Sequence, residues 1–238
     1  MSEAKPRSDA NGAHPLDAVI WNALAGKQNH LAVGDARARR YPSDIGRFAA
    51  VADRSPESFE ALLSLIDTQD SLALITADEV ALPSGFSVVR RAALLQMIWQ
   101  GKLDQQSELQ HVSLTEADVP DMLALTAATE PGPFGPRTIE LGQYIGVRSQ
   151  GKLAAMAGER MRLDGFTEIS AVCVDPAFRG RGYAADLMKL LIAAISARGE
   201  TPFLHVFTSN QSAIALYRKL GFVDRHEMHL ALVSEAGD

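Results

Sequence analysis

The chain has 238 residues, 47% hydrophobic and 22% charged, with a formal net charge of −6. That is enough apolar material for one large core or two modest ones, and without an arginine–lysine stripe nucleic-acid binding has no electrostatic support. The acidic balance weakly favours a cationic acceptor through long-range attraction. The single cysteine, Cys173, excludes an intrachain disulfide and fits a reducing compartment.

Residues 1–13 are small, polar and charged and read as a disordered leader; they lack the apolar stretch of a secretory signal. No run approaches the length of a bilayer span, so the expected location is the cytoplasm. Residues 15–24 predict a short amphipathic helix, with Pro15 in its first turn and Gly26 just past its end. The apolar stretches Leu31 to Val33 and Phe48 to Val51 have no assigned type. Ser55 to Ile66 predicts a helix: Ser55 caps it, Pro56 opens it, and Glu57 and Glu60 suit its positive end. Strands are expected at Leu72 to Ile75 and Phe86 to Val89. The polar run 101–108 reads as a linker. It divides the chain into an N-terminal α/β domain of unassigned role at 14–106 and a second domain at 107–238.

Past the linker, Leu109 to Leu114 predicts a strand, and Thr115 to Thr126 a helix capped by Thr115 with Asp118 three residues on. Pro131 to Pro136 can only be a loop, of the kind that borders binding sites. Tyr144 to Val147 and Lys152 to Leu163 predict a hairpin, and Phe166 to Val174 a strand. Gly182 to Ala197 predicts a helix, with Ala184, Leu187, Met188, Leu191, Ile192 and Ile195 on one face and Gly199 at its end. Phe203 to Phe207 is an expected strand and Gln211 to Lys219 a helix ended by Gly221. Phe222 to Leu232 supplies the last strand or strands. Alternating helix and strand signals indicate a mixed α/β protein.

Chemistry concentrates between Val172 and Leu191. A strand ends at Asp175-Pro176, a basic glycine-containing loop follows, and a helix begins. The amides at a helix start lack intrahelical acceptors and carry about half a positive charge. Gly180 and Gly182 let a phosphate approach the main chain, and Arg179 and Arg181 add charge. The loop matches neither the dinucleotide fingerprint nor the P-loop, and by itself it is equally compatible with a tight turn and two incidental arginines. In the second segment, Asn210 and Tyr217 are seven residues apart and share a helix face. Taken singly, they read as a helix cap and a core aromatic.

In this order and register, the two segments resemble the GNAT superfamily of N-acetyltransferases. The signature of Arg or Gln, two residues, Gly, one residue, Gly or Ala is met from Arg179 to Ala184. The later pattern is met by Asn210, Ala213, Leu216, Tyr217, Gly221 and Phe222. The resemblance covers 109–238 and is strongest over 166–222. It implies a GNAT-like acyltransferase fold, α/β with a mixed α+β sheet, preceded by a smaller α/β N-terminal domain.

The resemblance also implies roles. The diphosphate of acetyl-CoA, a co-substrate, is expected on the amides of Arg179, Gly180, Arg181, Gly182, Tyr183 and Ala184. The pantetheine arm is expected beside Val172, Cys173 and Val174, with a backbone N–H near Val174 facing the oxyanion, and Asn210 touching the arm. Direct attack in a ternary complex needs a neutral amine, whereas an alkyl ammonium has a pKa near ~10. Glu168 is the candidate general base and Tyr217 the candidate acid for the leaving thiolate. A bulge in the strand would change the face Glu168 occupies.

Cys173 as an acyl carrier in a ping-pong mechanism is the weaker alternative to a buried strand cysteine. His205 is a second candidate base, although a packed strand histidine is the commoner case. His226 and His229 lack the context of a metal site, and no metal is expected. The expected acceptor is a small-molecule amine rather than a protein, with neither nucleic acid nor membrane as partner and a homodimer left open. Its pocket is expected around Phe134, Tyr144 and the N-terminal half. Trp21, Tyr41 and Trp99 are explained as core. A protein or peptide N-acetyltransferase and a non-catalytic acyl-CoA-binding module remain the alternatives.

Overall fold

The first apolar stretch forms a 3-10 turn, Pro15–Ala18, that runs into helix α1, Val19–Ala25, and buries Leu16, Ile20 and Leu24. The computed structural model describes residues 14–67, 70–102 and 107–237; the leader expected at 1–13 lies outside them. The unassigned stretches become short strands β1 (Val33–Gly34), β2 (Ala38–Arg40) and β3 (Ala49–Val51), paired antiparallel as a small sheet. Helix α2, Pro56–Leu63, starts where Ser55 Oγ accepts the Ser58 amide at 3.3 Å.

Eight further strands make one sheet: β4 (Leu72–Thr76), β5 (Phe86–Trp99), β6 (Val112–Ser113), β7 (Tyr144–Ser149), β8 (Lys152–Leu163), β9 (Phe166–Val174), β10 (Thr201–Phe207) and β11 (Phe222–Glu235). Their order is β4-β11-β5-β10-β9-β8-β7-β6. The β9–β10 pair is parallel, and the other neighbours are antiparallel. The mixed-sheet class therefore holds. Of the expected N-terminal domain, only β1–β3 form a sheet of their own. β4 and β5 join the main sheet, and β5 pairs with both β10 and β11.

Two expected strands change length. β5 continues from Phe86 to Trp99, because its second half gains a hydrogen-bonded neighbour on each side. The charged pair Arg90-Arg91 breaks the alternation that would have revealed it. The strand expected at Leu109 to Leu114 shrinks to β6, an edge pair of exposed residues. After it the Thr115 N–H donates to Asp118 Oδ2 at 2.8 Å, and a 3-10 turn leads into helix α3, Val119–Thr129.

Helix α1 packs on one face of the sheet with Phe48, Phe166 and Phe203. Helices α4 (Tyr183–Ala197) and α5 (Gln211–Lys219) pack on the other, where Leu187, Leu191 and Ile214 meet Ile169 and Leu204. β9 and β10 stay paired only from Phe166–Thr201 to Glu168–Phe203 and then part. Just past that point β9 bulges: Met156 faces Cys173 and Gly158 faces Ser170, with Ala171 at φ 51.

Candidate active site

The parting of β9 and β10 opens a cleft of about 1410 Å³, with Val172, Cys173 and Val174 on one wall and Leu204 to Phe207 on the other. Past the end of β9, Asp175 accepts the Ala177 amide at 2.8 Å and caps a 3-10 turn, Pro176–Phe178. The chain then enters the loop before α4, where Gly180 and Gly182 adopt φ 78 and 80, the left-handed region where a side chain adds strain. No side chain caps α4, so its first amides are available to a ligand. A Cβ added at Gly180 would meet nothing within 4 Å, which leaves the loop open to an incoming group. Arg179 and Arg181 are exposed, and the Arg181 guanidinium lies 5.1 Å from the centre of the Phe178 ring. Arg179, Gly180, Arg181, Gly182, Tyr183 and Ala184 all border the cleft. Free amides, a positive helix end and two guanidiniums suit a diphosphate, so these residues fit CoA.

Helix α5 carries the second motif to the same cleft. Asn210 caps it by accepting the Ala213 amide at 3.2 Å, and Asn210 and Tyr217 both line the cleft. Burial pushes the Tyr217 hydroxyl up to about 12, so it keeps its proton at neutral pH.

Glu168 requires a correction. It is fully buried and does not line the cleft. Arg160 Nε donates to Glu168 Oε2 at 2.8 Å and Arg160 Nη2 to Oε1 at 2.6 Å. Burial alone would raise this carboxyl, but the Arg160 charge and the hydrogen bonds from Arg160 and His205 prevail and hold it at about 2. A carboxylate so held is a poor proton acceptor. The physical reason is the bulge in β8, where Arg160 and Met161, between the paired Glu159 and Arg162, face the single Glu168 between Thr167 and Ile169 of β9, which sets Arg160 beside Glu168.

The candidate base His205 does face the cleft. Its Nδ1 lies 2.8 Å from Glu168 Oε1 and its Nε2 lies 2.9 Å from Gln96 Nε2. Arg225 Nη1 donates to Gln96 Oε1 at 2.6 Å, which turns the Gln96 amino group toward the imidazole. His205 Nε2 therefore accepts, and Nδ1–H donates to Glu168. Both ring nitrogens are occupied. Cys173 is buried, which pushes its thiol up to about 11, and this disfavours it as a nucleophile.

The chain is similar to several known proteins. A family model described as FR47-like protein matches residues 144–230. N-alpha-acetyltransferase RimI of Mycobacterium tuberculosis (strain ATCC 25618 / H37Rv) is 37% identical over 121 residues, 46% of this chain and 75% of that protein. The ribosomal protein bS18-alanine N-acetyltransferase of Escherichia coli (strain K12) is 33% identical over 116 residues, 46% of this chain and 78% of that protein. A crystal structure of a GNAT-family protein from Novosphingobium aromaticivorans DSM 12444 matches with TM-score 0.89 and 44% identity, over 94% of this chain and 100% of that one. The chain belongs to the GNAT family of N-acetyltransferases. The GNAT fold also extends, at TM-score 0.59 and 18% identity, over 92% of this chain and 94% of a GCN5-related N-acetyltransferase from Kribbella flavida.

Sequence reasoning missed Arg160, Gln96 and Arg225 in this GNAT acetyltransferase. The one available signal was the charged pair Glu159-Arg160, which follows the uncharged run from Leu153 to Gly158 in the hairpin strand. Among the described residues, no group of three or more His, Cys, Asp or Glu could hold a metal ion. No helix among them is long and apolar enough to cross a membrane.

Proposed function

We propose that this GNAT acetyltransferase moves an acetyl group from acetyl-CoA to an amine by direct attack while both are bound. The supporting observation is the parting of β9 and β10 beyond Glu168 and Phe203, which leaves one cleft joining the phosphate-suited loop to the Tyr217 side chain.

Acetyl-CoA would supply the thioester carbonyl as electrophile. The amides of Arg179 to Ala184 hold its diphosphate, Val172 to Val174 offer the pantetheine arm a strand edge, and Asn210 flanks that arm. A main-chain N–H near Val174 donates to the developing oxyanion, an effect of roughly a few kcal/mol. Tyr217 donates its hydroxyl proton to the departing sulfur and takes back the proton lost by the new amide nitrogen. Arg160, Glu168 and His205 keep the far wall electrically balanced. The proton released by the incoming ammonium leaves through water in the cleft.

A second reading, acetylation of a polypeptide α-amine, draws support from the relatives, the 37% identical one being named an N-alpha-acetyltransferase and the 33% identical one a ribosomal protein bS18-alanine N-acetyltransferase. Turnover of acetyl-CoA with a panel of small amines and N-terminal peptides, read as thiol release and product mass, tests both. We expect amine-dependent release with an acetylated product. Saturable acetyl-CoA binding without release on any acceptor would favour a non-catalytic module and overturn the enzymatic reading.

A further inference from the structure

The cleft needs a group that meets its second substrate. Four arginines line it, Arg90, Arg160, Arg179 and Arg181, and among the described residues Glu130 is its sole carboxylate. An amine acceptor arrives as an ammonium ion, with a pKa near ~10; Arg160 is already neutralised by Glu168 and the Arg179–Ala184 loop is assigned to the diphosphate, so Glu130 is the one lining group whose charge attracts that ion. Glu168 is enclosed by Arg160 and His205 and cannot serve.

Glu130 is exposed, and none of the ion pairs or side-chain hydrogen bonds around it uses its carboxylate. It ends α3 in the left-handed conformation, φ 47 and ψ 53, without the glycine such a position favours. Three non-glycine residues among those described have positive φ, and two of them, Glu130 and Ala171, border the cleft. Strained backbone of this kind gathers at functional sites. The preceding residue, Thr129, has its side chain against the Cys173 thiol, which sets the end of α3 on the wall assigned to the thioester.

We propose that the Glu130 carboxylate docks the acceptor, pairing with its ammonium group at the cleft and selecting amines that are charged at neutral pH. This rests on the reading of the acceptor as an amine. Glu130 binds the acceptor and takes no part in bond making.

The test compares wild type, Glu130→Gln and Glu130→Asp on an alkylamine, charged at neutral pH, and on a hydrazide, uncharged there. Glu130→Gln should raise KM for the alkylamine about tenfold while kcat and the acetyl-CoA KM move less than about threefold. Its preference for the alkylamine over the hydrazide should fall by the same factor, and Glu130→Asp should restore most of it. Added salt should erode the wild-type preference and leave that of Glu130→Gln unchanged. Equal losses on both acceptors, or no loss, overturn the proposal while acetyl transfer stands. Wild type that acetylates no amine overturns both this proposal and the reading beneath it.

Discussion

The Arg160 guanidinium grips the Glu168 carboxylate with two hydrogen bonds, at 2.8 and 2.6 Å, and lies 4.7 Å from the centre of the Phe48 ring. Removing one partner of such a buried pair strands the other charge. Glu168→Gln should therefore cost about 3–5 kcal/mol in urea unfolding, and Arg160→Met combined with it should recover part of the loss. The sign with pH follows from a folded pKa lowered to about 2. The carboxylate's contribution is present above its unfolded value of about 4.3 and is lost as pH falls toward the folded one. Urea midpoints taken down through this window should fall more steeply for wild type than for Glu168→Gln. Parallel curves would show that the pair carries no such coupling.

Tyr217→Phe should lower kcat by about two orders of magnitude, with acetyl-CoA affinity changed less than about twofold. Since burial holds the hydroxyl near 12, Tyr217 should cause no alkaline decline in wild-type kcat across about pH 7 to 9. Single-turnover acetyl transfer is the measurement. An unchanged chemical rate would remove Tyr217 from the proton path.

Gly180→Val separates strain from obstruction. Its Cβ meets nothing within 4 Å in the protein, so the folded state loses only about 1–2 kcal/mol for a branched side chain at φ 78. The same side chain occupies the face where the diphosphate is expected. Calorimetry should show CoA affinity reduced about a hundredfold or more, with a cooperative melt retained. Normal affinity would relocate the phosphate site.

Gly158→Ala probes the wall behind the bulge. A Cβ there would come within 2.2 Å of the Tyr144 ring, which is itself buried at 2% exposure. Overpacking of this kind costs about 1–3 kcal/mol, read as a lower urea midpoint at unchanged slope. An unshifted midpoint would mean that the ring moves aside freely.

Features encoded within a few consecutive residues were legible before folding. The loop at Arg179 to Ala184, the α4 face and the seven-residue spacing of Asn210 and Tyr217 all lie within one turn or one helix. Strand β9 appeared with its final limits, Phe166–Val174, because both its ends carry local punctuation. What escaped depends on distant chain. Gln96 meets His205 across 109 residues, and Arg225 meets Gln96 across 129. Glu168 stood out by position, yet its partner Arg160 was hidden because a bulge on the neighbouring strand decides which residue faces it. The sequence pattern predicts only four residues of β5 because Arg90 and Arg91 interrupt the apolar run, whereas pairing with the distant β11 carries the strand through them.

The position of β5 governs the birth of the molecule on the ribosome. Its two flanking strands are translated about a hundred residues after it, so its long row of amides and carbonyls waits without partners while the rest emerges. Pairings this remote in sequence close slowly. The stage between the synthesis of β5 and that of β10 and β11 is thus the one at which this chain is most prone to stick to its neighbours, and the arrival of those two strands ends that exposure.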